Sequence, residues 1–229
     1  MPKTLPVRKF SIMRVLPVLK QLLLLGSVLM LVSATSAYAD PIGTQAIFSL
    51  TQDGCTGGCG AGPYGTITLT QTATGVVTVN ETLASGVAFV ATGAGESIEF
   101  NLTGAPAITI GNLTTGFAST GAATASTFGS FGYSVSCAGL SCGPGASNPK
   151  PGPLSFTVTN GTGVNVSDFI ANSGGYFFTS DVSGVTGNTG NVAAKGGTTT
   201  IPTVPEPSSL LLFGTGVLSA AGLIRRKLF

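Results

Sequence analysis

Apolar residues in the middle of this chain recur at every second position in one segment after another, and no stretch longer than about two turns shows helical spacing. A period of two sends alternate side chains to opposite faces of an extended backbone, so such a segment buries one face only as a strand. The cleanest case is 97–103, where Ile98, Phe100 and Leu102 are expected in a core and Glu99, Asn101 and Thr103 in water. Residues 66–70 set Ile67 and Leu69 against Thr66, Thr68 and Thr70, and after Thr74-Gly75 residues 76–80 supply a hairpin partner. Further strands are expected at 46–51, 87–90, 132–136, 154–159 and 176–182, with weaker alternation at 107–110 and near Phe117. Residues 166–170 read equally as a strand or a single helical turn. About nine short strands separated by Gly-rich turns predict an all-β body, an antiparallel β-sandwich or jelly roll.

The two ends follow different rules. Lys3, Arg8, Lys9, Arg14 and Lys20 precede an apolar core at 22–32, and small residues lead to Ala37-Tyr38-Ala39. That order predicts a secretory signal peptide over 1–39, cleaved after Ala39; an uncleaved anchor, the other reading, needs a longer apolar core. At the opposite end, residues 208–224 carry no charge and are followed by Arg225, Arg226 and Lys227. At ~1.5 Å per residue this segment makes a helix about 25 Å long, short but sufficient to span a bilayer. Gly214, Gly216 and Gly222 are tolerated in such a helix, and the basic triplet assigns the last residues to the cytoplasmic side. A buried core helix is the alternative, but it would ordinarily show a polar stripe.

Val204-Pro205-Glu206-Pro207, an apolar span and a terminal basic cluster together resemble the PEP-CTERM sorting domain of exported proteins from Gram-negative bacteria that make extracellular polysaccharide. The resemblance covers about a tenth of the chain. It implies recognition and removal of the tail by an exosortase, an integral-membrane Cys-dependent enzyme. Pro205, Glu206 and Pro207 would be the recognised motif, and Arg225, Arg226 and Lys227 the cytoplasmic retention signal. Two prolines keep the backbone extended beside the one carboxylate between them, which suits a recognised motif. The route implied is export, transient anchoring in the inner membrane, then the cell surface or the extracellular matrix of a biofilm. Residues 176–182 and 187–192 also resemble a stretch that often precedes this tail; by itself it reads as a terminal strand and a Gly-Asn turn. The expected organisation is thus a signal peptide at 1–39, a β domain at 40–182, a flexible Gly/Thr/Pro stalk at 183–204 and the sorting signal at 205–229, with its transmembrane helix at about 208–224.

The chain's formal charge of +2 misrepresents the body. Between residues 40 and 204 two lysines face seven carboxylates, leaving −5, with no arginine. A mildly acidic surface without a basic patch argues against nucleic acid as a partner. There is no histidine, which removes Ser-His-Asp and Cys-His hydrolases and His-ligated zinc. The remaining acid–base candidates are Glu96, Glu99, Asp168 and Asp181, as a glycosidase pair or, for the two aspartates, as calcium ligands. Turn-capping and solvated roles are the plainer expectation. Of three connectivities for four cysteines, the local one, Cys55–Cys59 and Cys137–Cys142, is expected in an exported chain; a four-cysteine zinc site is the rival. The leading expectation is a noncatalytic structural or interaction protein with no cofactor and no metal. The alternatives are a carbohydrate-binding module, with Tyr64, Tyr133 and Tyr176 as its available aromatics, and a carboxylate-dependent glycoside hydrolase.

Overall fold

A computed structural model of the protein describes residues 39–202. The segment before Ala39 and the expected tail helix at about 208–224 lie outside the described residues, among which no helix is long and apolar enough to cross a membrane. The described body is all-β, and every strand pairing is antiparallel. A six-stranded sheet joins β1 (Gln45–Leu50), β3 (Gly65–Ala73), β4 (Val76–Leu83), β7 (Thr109–Gly111), β13 (Leu154–Thr159) and β17 (Gly197–Thr200) in the order β17-β1-β3-β4-β13-β7. A nine-stranded sheet contains β2 (Gln52–Cys55), β5 (Ala88–Ala91), β6 (Ile98–Leu102), β8 (Phe117–Ser119), β11 (Tyr133–Cys137), β12 (Gly145–Lys150), β14 (Phe169–Ile170), β15 (Phe178–Ser183) and β16 (Thr189–Ala194). A separate hairpin pairs β9 (Ala123–Ala125) with β10 (Gly129–Phe131). Residues 166–170 satisfy both of their readings, a 3-10 turn at Val166–Asp168 running into β14.

The six-stranded sheet realises the alternation almost without exception. Phe48, Leu50, Ile67, Leu69, Val77, Val79, Phe156 and Val158 point inward and are buried, while threonines of β3, β4 and β13 point outward. β-Branched threonine suits this position, because its side chain is stiff and fits a pleated, half-exposed surface. The inward residues meet those of the nine-stranded sheet in one continuous core. Its aromatic contacts cross between the sheets: Phe48 lies edge-on to Phe178 at 4.9 Å, and Phe156 stacks on Phe100 at 6.0 Å. Each fully buried Phe, Leu or Ile contributes roughly 1.5–3 kcal/mol relative to exposure.

One ribbon joins the two sheets. Gln45 faces Thr200, Phe48 faces Gly197, Gln52 faces Ala193 and Cys55 faces Gly190, so the register is kept from β1–β17 into β2–β16. The ribbon turns from one sheet to the other near Thr51, whose N–H donates to the Ala193 carbonyl at 3.0 Å. Small residues are required along it. A Cβ at Gly190 would sit 2.8 Å from Cys55 Cα, and one at Gly197 would sit 2.6 Å from the Phe48 ring. This corrects the reading of 183–204 as a flexible stalk. Residues 190–194 are buried, β16 pairs along the whole of β15, and the β domain reaches Thr200 rather than ending at 182.

A second correction concerns Glu99, expected in water and in fact fully buried. The face of β6 that carries Glu99 is covered by the loop at 92–97 and by the β9–β10 hairpin, whose Glu96 and Ala125 backbones reach the Glu99 carboxylate. Glu81 of β4 is also fully buried, on the core side, where its Oε1 accepts the Ser180 hydroxyl of β15 across the sheets. Among the described residues its Oε2 has no partner. Burial raises the Glu81 pKa to about 8, a shift the Ser180 hydrogen bond only partly opposes. In the unfolded chain this carboxyl ionises near pH 4.3. Between those values the unfolded state binds fewer protons, so stability is full at acid pH and falls as pH rises toward 8. The melting temperature is therefore expected to be higher at pH 5 than at pH 8, and Glu81→Gln should reduce that slope, most visibly between pH 7 and 8, as calorimetry across this range would show.

Candidate functional site

The two candidate carboxylates with the largest role are assembled by an interruption in the nine-stranded sheet. β5 and β6 lie end to end along one edge of β15, with residues 92–97 looping out between them. Asp181 of β15 holds this loop: its Oδ2 accepts the Thr92 N–H at 2.8 Å and the Thr92 hydroxyl at 2.7 Å. Its own N–H donates to the Glu96 carbonyl at 2.9 Å. Glu99 of β6 takes the Glu96 N–H on Oε1 at 2.9 Å and the Thr179 hydroxyl on Oε2 at 3.1 Å. Asn191 of β16 donates to the Ala94 carbonyl at 2.8 Å. The β9–β10 hairpin adjoins them through Ser126, whose N–H reaches the same carbonyl, and through Ala125, Phe128 and Phe131 packed on Ala193.

Burial dominates the electrostatics of this cluster. It raises the Glu99 pKa to about 7, against hydrogen bonds from Glu96, Thr179 and Ala125, with the Glu96 charge adding to the rise. Burial likewise raises Asp181 to about 6, against its two hydrogen bonds from Thr92 and again helped by Glu96. Both carboxylates are fully buried and their oxygens already engaged. Raised carboxyl pKa values often mark acid–base sites, but structural networks shift them equally. Here the donors Thr92, Glu96, Asp181 and Asn191 fasten one loop to the sheet, and the Thr179 hydroxyl ties β15 to β6. Asp168 stands apart: its Oδ2 accepts the Asn165 N–H at 2.8 Å at the start of the 3-10 turn, a capping role.

The cysteines close the two local loops, Cys55–Cys59 with Cα atoms 5.5 Å apart and Cys137–Cys142 with Cα atoms 5.7 Å apart. Asp53 organises the first loop by accepting the N–H of Cys55 and of Cys59, each at 2.9 Å. Burial works to raise its pKa, but these bonds and the Tyr64 hydroxyl outweigh it and hold the group below its ordinary value. Asp53, Cys55 and Cys59 are close enough to suggest metal ligands, yet both sulfurs are bonded to each other and offer no thiolate. The three tyrosines do not form a platform. Tyr64 is buried beside Asp53, Tyr133 stacks on Phe100 with its hydroxyl on the Pro106 carbonyl, and Tyr176 packs against Phe128 under Lys195. Thr92, Thr179 and Asn191, which complete the carboxylate cluster, carried no signal in sequence, because the residues they join to, Asp181, Glu99 and Ala94, lie far from them in the chain.

The element that comparison with known families identifies is the C-terminal tail. Residues 203–227 match the PEP-CTERM protein-sorting motif, so the chain carries the tail that its Pro205-Glu206-Pro207 sequence resembles. The motif implies export, membrane-anchored sorting and processing by an exosortase. No curated protein and no solved structure matches the chain. The motif residues themselves, with Arg225, Arg226 and Lys227, lie outside the described residues, as does Ala37 of the expected signal cleavage site; Ala39 is the first residue described.

Because Asp181 holds the 92–97 loop, Asp181→Ala leaves the part-buried Thr92 N–H and hydroxyl without their acceptor. The expected loss is about 2–3 kcal/mol of unfolding free energy, read from the denaturant midpoint at unchanged m-value.

Proposed function

We propose that this chain is a noncatalytic exported protein whose β-sandwich body is delivered by its PEP-CTERM tail to the cell surface or the extracellular polysaccharide matrix, where it acts as a structural or interaction protein. The observation that carries the reading is the sorting motif at 203–227. Three features of the body support it. Glu99 and Asp181 are sealed and committed to internal donors, which suits a structural role better than glycoside hydrolysis, where two carboxyls must flank a substrate. Two closed disulfides suit an oxidising compartment. Cross-sheet contacts such as Phe48–Phe178 support a sandwich rather than two independent layers.

The fold also suits a chain held at both ends. Because Gln45 pairs with Thr200, the polypeptide enters and leaves the β domain at the same end of the terminal ribbon. The sorting motif then begins only three residues beyond Thr200. In the native host, replacing Pro205 and Glu206 together by alanine should leave full-length precursor in the inner-membrane fraction, whereas the wild-type body should reach the surface or medium with its tail removed, as intact mass would report. Equal surface delivery of the two would contradict the proposal.

A further inference from the structure

We propose that the outward face of the six-stranded sheet binds a neutral polysaccharide. This rests on the matrix reading above and names the ligand class for it. The outward positions of β1, β3, β4, β7, β13 and β17 contain no Asp, Glu, Lys or Arg. Soluble surfaces ordinarily devote about a quarter to a third of their residues to charge. Nor is the face an apolar protein interface, since its apolar interruptions are Ile47 and the half-buried Val76.

What fills it instead is a lattice of hydroxyls and amides. One cross-strand row runs Thr200, Gln45, Thr70, Thr78, Thr157. The next runs Thr198, Ile47, Thr68, Asn80, Ser155. Rows of this kind repeat about every 6.8 Å along a strand, and neighbours within a row are about 4.8 Å apart. A pyranose in an extended glycan advances by roughly one strand spacing, so successive sugars meet successive strands. Each threonine hydroxyl both donates and accepts, as sugar hydroxyls do. Some are spent internally, as Thr72 bonds Thr78, Gln45 bonds Thr70 and Thr159 bonds the Thr109 carbonyl, whereas Thr66, Thr68, Asn80 and Thr157 make no side-chain hydrogen bond to any described residue. A shallow groove of about 460 Å³ beside Ile47, Ser49 and Thr198, with the exposed Lys195 also on its wall, deepens one margin of the face. Lys195 at the ribbon's corner is turned onto the Tyr176 ring, 5.1 Å from its centroid.

Charge selects the ligand. The sheet face itself carries no charged side chain and only Lys195 stands at its margin, so acidic glycans find little complementary charge and neutral ones are the complementary class. Single neutral hydrogen bonds in water are weak, about 1 kcal/mol each, so binding grows from repetition along a polymer.

The test is affinity electrophoresis of the exported, disulfide-closed protein through gels containing β-glucan, galactomannan, dextran, the neutral fraction of the host's own exopolysaccharide, or polygalacturonate. At least one neutral polymer should retard the wild type and polygalacturonate should not. The combined variant Thr68→Val, Thr70→Val, Thr157→Val keeps β-branched shape and should keep the melting temperature while weakening retardation about tenfold or more. Thr124→Val on β9, off this face, should bind as wild type. Absence of retardation by every neutral polymer, undiminished binding by the triple variant, or equal retardation by polygalacturonate would each overturn the proposal. Such a failure is distinguishable from failure of the sorting reading, which is read separately from loss of the tail and arrival at the surface.

Discussion

The pairing of residues 45–55 with 190–200 is the constraint on which the rest of the body depends. It draws strands from the two ends of the described domain into one ribbon and places half of that ribbon in each sheet. β1 brings Phe48 and Leu50 to the core from one side, while β16 seats β15 along its full length on the other. β15 in turn carries Phe178, Ser180 and Val182 inward and Thr179 and Asp181 outward. The carboxylate cluster, the loop at 92–97 and the Glu81–Ser180 bridge are all placed by that strand.

The same ribbon gives the sorting signal its setting. A flexible stalk would have held the β domain away from the membrane; instead the last strand stops close to the motif in sequence. Folding of the exported body is therefore tied to the arrival of residues 189–200, the last part of the domain to be synthesised. The oxidised loop at Cys55–Cys59 lies at the far end of the ribbon from Thr200, where the Gly58 carbonyl accepts from the Asn188 side chain at 2.8 Å. This disulfide and its partner turn brace the end opposite the tail.

Much of this architecture was legible in the alternation of small polar and apolar residues. Residues 154–159 are a strand at the expected bounds, 66–70 lies within the longer Gly65–Ala73, and 76–80 is the first part of Val76–Leu83. The local disulfide pairing favoured among three connectivities is the one formed. What the pattern concealed has physical causes. Glu99 looked solvated because a period of two distinguishes two faces but does not say whether both are covered. Thr189–Ala194 looked like a linker because its Gly, Asn and Ala residues are the ones a crowded ribbon requires, and composition does not separate smallness for packing from smallness for flexibility. Asp181 gave no hint of its loop-holding role, since Thr92 is distant in sequence. Strands as short as β9 and β10 have too few residues to show a period, and β12, which contains Pro149, has no buried face to give an alternation.

Amide hydrogen exchange of the exported protein addresses the ribbon most directly, because it separates a strand from a stalk residue by residue. Amides of residues 190–194 should exchange as slowly as those of β15, among the slowest in the chain. Exchange across 183–200 at the rate of unstructured polypeptide would contradict the closing ribbon and restore a flexible connection between the β domain and its sorting tail.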